Sequence, residues 1–170
     1  KTRRGLSLGL LGALTREEAA EIVVDVLRRI YTCEPSVFAA HDGGWTKLSA
    51  GTVSDQVVTW HTPLAADTRT PATEVRRTRQ PLLVPDVATW EVDAPPKPDI
   101  IRDVSSAALY PLLADDDVIG TLVVVVQPPH VIDGAAHRFL KSAADACAVA
   151  LQRLVRGESV SDVQEVGSTS

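Results

Sequence analysis

The stretch AALYPLLADDDVIGTLVVVV, residues 107–126, decides the fold. Two apolar runs, 107–113 and 118–126, flank a short polar turn, so they predict two antiparallel strands joined as a hairpin. Residues 123–126 form a continuous β-branched run, which is typical of a strand covered on both faces. We therefore expect the second strand of this hairpin at the centre of a sheet.

Helices are predicted on either side of the sheet segments. Thr15 and Glu18 have the spacing of a capping box, and Pro35 ends the apolar pattern that follows. Asp133 is placed to cap the last helix. The helical spacing is carried in the first helix by Ile22, Val23, Val26, Leu27 and Ile30, and in the last helix by Ala136, Leu140, Ala143, Cys147, Ala150, Leu151 and Leu154.

The middle of the chain alternates short elements. The predicted strands are residues 37–40, 45–50, 57–60 and 82–84. Thr70 and Pro71 open a short helix that runs to about Arg79. The acidic, proline-bearing segment 85–103 reads as a long functional loop, a lid over a pocket. This order predicts an α+β fold: a central antiparallel sheet with the N- and C-terminal helices on one face and the loop and short-helix region on the other.

Length and charge limit the classes of function. The 170 residues suit about one domain, with 1–14 as an N-terminal helical or linker segment, 15–156 as the domain and 157–170 as a C-terminal linker. The 17 Lys and Arg residues against 22 Asp and Glu residues give a net charge of -5, which disfavours nucleic acid and anionic membranes as partners. The chain contains no methionine, so we expect it to be a fragment of a longer protein.

No catalytic, metal or cofactor site is predicted. Cys33 and Cys147 lie far apart and lack zinc or disulfide spacing, which favours reduced core thiols in a cytoplasmic protein. The histidines lack metal-binding spacing, and the aspartates at 115–117 read as a solvated hairpin tip. No nucleophile has an evident base, so we expect no enzymatic activity. The four histidines are His41, His61, His130 and His137.

Three stretches together resemble a GAF domain. Residues 70–84, TPATEVRRTRQPLLV, are similar to the family's short helix, Gln-Pro turn and strand, although Arg79 stands where the family usually has glycine. Residues 110–113 and 118–122 are similar to its "PL…(V/I)IG.L" hairpin, with Asp116 where the turn often has glycine. Residues 139–151 are similar to its closing helix. The segment WHTPLAADT, residues 60–68, resembles bacterial GAF domains attached to PPM-type serine phosphatases.

The resemblance implies a non-catalytic sensor in a bacterial signalling protein, which binds a small molecule or relays a conformational signal to an output domain. GAF domains place their cavity in the middle region, which suggests Trp60, Thr73, Trp90 and Tyr110 as ligand-binding residues. A dimerisation scaffold without a ligand is the alternative. A GAF-fold sulfoxide reductase is the third choice, although neither cysteine lies in the middle segment.

The terminal helices are expected to form a homodimer. The closing helix carries more apolar surface than one sheet face can cover, and its alanines allow another helix to approach closely. The residues expected at this seam are Ala143, Ala144, Cys147, Ala148, Ala150, Leu151 and Leu154, with Leu6, Leu10, Leu11 and Leu14 from the N-terminal segment.

Overall fold

A computed structural model gives the structure of the chain for residues 6, 9–42, 44–49, 53, 55–62, 69–87 and 105–168. The helices in this part of the chain are α1 (Arg16–Ile30), α2 (Asp55–Trp60), α3 (Pro71–Thr78) and α4 (Gly134–Ser168). The strands are β1 (Glu34–His41), β2 (Gly44–Lys47), β3 (Leu82–Val84), β4 (Ser106–Ala114) and β5 (Asp117–Val126).

The five strands form one antiparallel sheet in the order β2-β1-β5-β4-β3. β5 lies in the middle, as the unbroken β-branched run predicts. It pairs with β4 through the hairpin and with β1 on its other side, where Phe38 is opposite Thr121. The α+β class and the antiparallel sheet expected from the sequence are confirmed.

The sheet is buried on both faces, and each face has its own core. α1 and α4 cover one face, where they pack on alternate residues of the strands, among them Tyr110 and Leu122. α2 and α3 cover the other face, where Trp60 and Val75 pack on the intervening residues, among them Leu109 and Val123. Neighbouring residues of a strand point to opposite faces, so β4 and β5 supply side chains to both cores.

The predicted strand at 57–60 is wrong, because Asp55–Trp60 is a helix. Its β-branched residues favour a strand, but Val57 and Trp60, three residues apart, are the buried side chains, which is the spacing of a helix face. Val58 and Thr59 are exposed, and the Thr59 hydroxyl donates to the Asp55 carbonyl oxygen at 2.8 Å within the turn. Burial of one helical face therefore overrides the local propensity.

Side chains define the helix starts. The Thr15 hydroxyl accepts from the Glu18 amide at 3.1 Å, and the Glu18 carboxylate accepts from the Leu14 amide at 3.3 Å. Asp133 accepts from the Ala136 amide at 2.7 Å, as predicted. α4 then continues to Ser168, so the backbone of 157–168, within the predicted C-terminal linker, is helical. No helix in the described ranges combines the length and the apolarity needed to cross a bilayer.

Close packing or a left-handed backbone sets special requirements at three positions of the sheet and its connections. A Cβ atom at Gly120 would clash with the Phe38 carbonyl oxygen and come within 3.0 Å of Leu112 Cδ1, so glycine allows β1 and β5 to approach closely. Arg79 ends α3 in the left-handed region, with φ 59°, where a non-glycine residue costs about 1 kcal/mol. Asp116, with φ 69°, turns the β4–β5 hairpin, and aspartate tolerates this conformation better than most residues.

Candidate functional site

His61 lies just after α2, on the face of the sheet that α2 and α3 cover. Its Nδ1 lies 2.8 Å from the Val57 carbonyl oxygen, and its Nε2 lies 2.8 Å from Thr121 Oγ1 on β5. A carbonyl oxygen only accepts, so Nδ1 carries the ring proton. Nε2 then accepts the hydroxyl proton of Thr121. This chain of two hydrogen bonds joins α2 to the central strand.

Two aromatic rings enclose the imidazole. Phe38 stacks on His61 with ring centroids 3.7 Å apart and an angle of 8° between the planes. Trp45 meets the same imidazole edge-on at 5.1 Å. Phe38 and Thr121 face each other across β1 and β5, so one pair in the sheet register supplies both the stacking ring and the hydroxyl. We call Phe38, Trp45, His61 and Thr121 the imidazole box.

Burial keeps His61 neutral. Removal from water lowers its pKa to about 4, although the hydrogen bond with the Val57 carbonyl favours the protonated form. The pairing of a hydroxyl with an imidazole is the geometry of an activated nucleophile. Thr121, however, has no exposed surface, so a substrate cannot reach this hydroxyl in the present conformation. In this structure the pair holds elements together.

Threonine side chains connect α3 to α2. The Thr70 hydroxyl donates to the Trp60 carbonyl oxygen at 2.6 Å. The Thr70 amide donates to Thr73 Oγ1 at 2.7 Å, and the Thr73 amide donates to Thr70 Oγ1 at 3.2 Å, which is a reciprocal cap of α3. Trp60, whose carbonyl oxygen accepts this bond from Thr70, is 6% exposed. α2 and α3 thus form one wedge on the sheet, and we use the term wedge for these two helices together with His61.

The four sequence-predicted ligand residues do not come together. Trp60 and Thr73 lie in the wedge, whereas Trp90 falls outside the described residues. Tyr110 is on the opposite face, under α4, where its hydroxyl lies 3.0 Å from His137 Nδ1 and burial raises its pKa to about 12. Tyr110 and Leu109 are consecutive in β4, so only one of them can face the wedge, and Leu109 does.

The basic residues of α3 are engaged within the protein. Hydrogen bonds from Arg77 and Arg69 to Glu74, at 2.8 and 3.0 Å, hold the pKa of this carboxyl at about 2. The Arg76 guanidinium lies 5.6 Å from the centre of the Trp45 ring and donates to the His41 carbonyl oxygen at 3.3 Å. Arg76 therefore places a positive charge at the edge of the imidazole box, while Arg69 and Arg77 are paired with Glu74.

Two other predicted features lie away from the wedge. Asp115 accepts from Gln152 and Arg156 of α4, so the hairpin tip makes contacts within the protein. No group of three or more His, Cys, Asp or Glu side chains in the part of the chain that the structure describes could hold a metal ion.

Residues 88–104, most of the predicted lid, fall outside the described residues, so the lid stays a prediction.

His61 is the residue that sequence reasoning missed. Two signals point to it. Val57, Trp60 and His61 have the spacing i, i+3, i+4 of one helix face, and Thr121 is a polar residue inside an apolar central strand. A buried hydroxyl in such a strand needs a side-chain partner, because the backbone groups around it are already paired in the sheet.

Comparisons with known proteins agree on the fold. A family model described as GAF domain matches residues 13–152. No curated protein matches the chain in sequence. The chain is similar in structure to the GAF domain of a phosphoenolpyruvate-protein phosphotransferase from Coxiella burnetii, at TM-score 0.67 and 14% identity over 93% of this chain and 95% of that one.

Two further solved structures differ in function from one another. The GAF domain of the potassium sensor histidine kinase from Escherichia coli has TM-score 0.60 and 15% identity, over 94% of this chain and 96% of that one. Free methionine-R-sulfoxide reductase from Neisseria meningitidis, in complex with its substrate, has TM-score 0.60 and 14% identity, over 92% of this chain and 89% of that one. At these identities the likeness shows the fold alone.

The neutral His61 predicts a specific loss of stability in acid. The pKa of a histidine in the unfolded chain is about 6.5, whereas the pKa of His61 in the folded protein is about 4. Between these pH values the unfolded state binds a proton that the folded state does not bind. The contribution of neutral His61 to the free energy of unfolding is fully present above pH 6.5. It decreases by about 3 kcal/mol as the pH falls to 4. Urea unfolding at several pH values measures this slope.

Two variants separate this effect from the titration of carboxyl groups. His61→Phe keeps a ring against Phe38 but cannot titrate, so its stability should change less between pH 6.5 and 4 than that of the wild type. His130→Gln, at an exposed histidine, should retain the wild-type slope. Equal slopes for the wild type and His61→Phe would show that the imidazole is not held neutral.

Proposed function

The chain belongs to the GAF domain family, and we propose that it is a non-catalytic regulatory sensor of a bacterial signalling protein. Members of this fold generally serve as regulatory modules in signalling proteins. The proposed sensor binds a small molecule on the wedge face and passes the change through the sheet to α1 and α4. The observation that carries this proposal is the link from His61 to Thr121, which ties the wedge to the central strand.

A ligand on the wedge face would act on the sheet by a short route. β5 is covered by the wedge on one face and by α1 and α4 on the other. Thr121 faces the wedge, while the adjacent Leu122 packs in the core under α1 and α4. A movement of His61 therefore reaches the terminal helices across a single strand. The segment 60–68 supports a PPM-type serine phosphatase as the output domain through its resemblance to such proteins.

The reductase alternative requires a reactive thiol. Burial raises the pKa of Cys33 to about 11 and that of Cys147 to about 12, so both thiols are almost entirely protonated near neutral pH. Cys147 is a residue of α4 and packs in the core on the face of the sheet opposite to the wedge. These positions favour the sensor over thiol chemistry.

The sensor proposal predicts a retained ligand. Native mass spectrometry of freshly purified protein should show an excess mass that denaturation removes. Trp60→Leu should reduce the liganded fraction, because Trp60 forms part of the wedge. Tyr110→Phe is the matched control, since it removes one hydroxyl from the opposite face and should leave the fraction unchanged. A wild-type mass equal to that of the polypeptide would favour the ligand-free scaffold instead.

We also propose that the chain forms a homodimer through its terminal helices, at a different seam from the one expected. The expected residues of α4, with Leu6 and Leu10, are buried in the protomer's own core, whereas Leu11 and Leu14 are exposed. Leu11 and Leu14 before α1, and Val149 and Val155 on α4, are exposed apolar residues. Val149 also lines a groove of about 250 Å³, together with Leu6, Phe139, Ser142, Ala143, Asp145 and Ala146.

The dimer proposal predicts a mass twice 18.2 kDa in sedimentation at micromolar concentration. Val149→Glu and Leu14→Glu should dissociate the dimer, because each places a charge in the apolar seam. Val131→Glu changes an equally exposed valine outside the terminal helices and should leave the dimer intact. A wild-type monomer, or equal dissociation by Val131→Glu, would contradict the proposal.

A further inference from the structure

A short helical turn precedes α1 and packs on α4. The Gly12 and Ala13 amides donate to the Gly9 and Leu10 carbonyl oxygens, both at 3.2 Å, and the turn ends there. Leu10 and Ala13 are buried against the core under α1 and α4. The last carbonyl groups of a helical turn carry its negative end, and each carbonyl oxygen has two lone pairs, so the Leu10 oxygen can accept a second hydrogen bond. We call residues 9–13 the N-terminal turn.

Arg153 of α4 binds the end of this turn. Its Nη1 donates to the Leu11 carbonyl oxygen at 2.9 Å. Its Nη2 donates to the carbonyl oxygens of Leu10 at 2.8 Å and Ala13 at 3.3 Å. One guanidinium thus bonds three carbonyl oxygens that lie more than 130 residues away in sequence. The planar fork of arginine suits this contact, whereas a lysine ammonium is a single point charge on a flexible stem.

Arg156, one helical turn further along α4, makes a weaker contact. It pairs with Asp115 at 3.2 Å, and both side chains are more than two thirds exposed. An exposed ion pair of this kind adds little stability. Arg153 instead neutralises the end of a helical turn and joins two segments through three bonds. The two arginines therefore provide a matched comparison on one helix.

We propose that Arg153 is a latch that couples the N-terminal turn to α4. The turn belongs to the segment before the domain, and α4 is the helix that closes it, so the latch joins the two elements through which a signal can enter or leave. A movement of either element strains three hydrogen bonds together. The importance of the latch for signalling rests on the proposed sensor function, but the contact itself can be tested without a ligand.

Hydrogen exchange of the backbone amides in the full chain tests the latch. Arg153→Gln should raise exchange at the Gly12 and Ala13 amides by roughly fivefold to tenfold, because about one hydrogen bond's net stabilisation is lost. Arg153→Lys should give a smaller rise. Arg156→Gln is the control and should leave these amides at the wild-type rate. Unchanged exchange in Arg153→Gln, or an equal rise throughout β5, would overturn the latch.

A second variant tests coupling rather than local stability. Leu10→Ala loosens the buried side of the N-terminal turn and should raise exchange in α4 around residue 153. In the Arg153→Gln background the same substitution should have little effect on α4, since the connection is already broken. An equal rise in both backgrounds would refute coupling through Arg153. Neither experiment needs a ligand, so failure of the latch and failure of the sensor proposal give separate results.

Discussion

The hydrogen bond between His61 and Thr121 is the contact on which the arrangement of the wedge depends. β5 is covered on both faces, so the hydroxyl of Thr121 has no access to water and must find its partner inside the protein. His61 supplies that partner, and its other nitrogen holds the last turn of α2 through the Val57 carbonyl. The Val57 carbonyl therefore fixes the tautomer of the imidazole, and the bond to Thr121 fixes where α2 lies on the central strand.

The two faces of the sheet carry different parts of the proposed sensor. The wedge face contains the imidazole box and Trp60, whereas the other face carries α1, α4 and the N-terminal turn. A sheet only one layer thick separates them. Because Gly120 has no side chain, the Phe38 carbonyl oxygen packs directly against it, and β1 and β5 lie close together beside the imidazole box. A displacement of Phe38 therefore has little free space beside β5. This geometry suits a domain that relays small displacements.

The sequence predicted the elements in which the spacing of apolar residues extends over many positions and fits either a strand or a helix, not both. The β4–β5 hairpin, the central place of β5 and the caps at Thr15, Thr70 and Asp133 are confirmed. Short elements were harder to predict, because α2 has a β-branched composition and becomes a helix only when Val57 and Trp60 are buried together. Local propensity does not contain that tertiary contact.

The candidate site was predicted less well than the fold. Leu109 and Tyr110 are both apolar enough for a core, and a sheet buried on two faces lacks the polar alternation that assigns residues to a side. The sequence therefore could not show which β4 residues face each side of the sheet, and Tyr110 lies on the face opposite to Trp60. His61 could be found from sequence only by combining the helical spacing of Val57, Trp60 and His61 with Thr121, a residue 60 positions away.

A double-mutant cycle on His61 and Thr121 tests the central claim most directly. Urea unfolding of the wild type, His61→Phe, Thr121→Val and the double variant at pH 7 gives the coupling energy of the pair. The account predicts that the second substitution costs about 1 kcal/mol less when the first is present, because each alone leaves a buried polar group without its partner. Additive losses, with no coupling, would show that the wedge is not tied to the central strand through this bond.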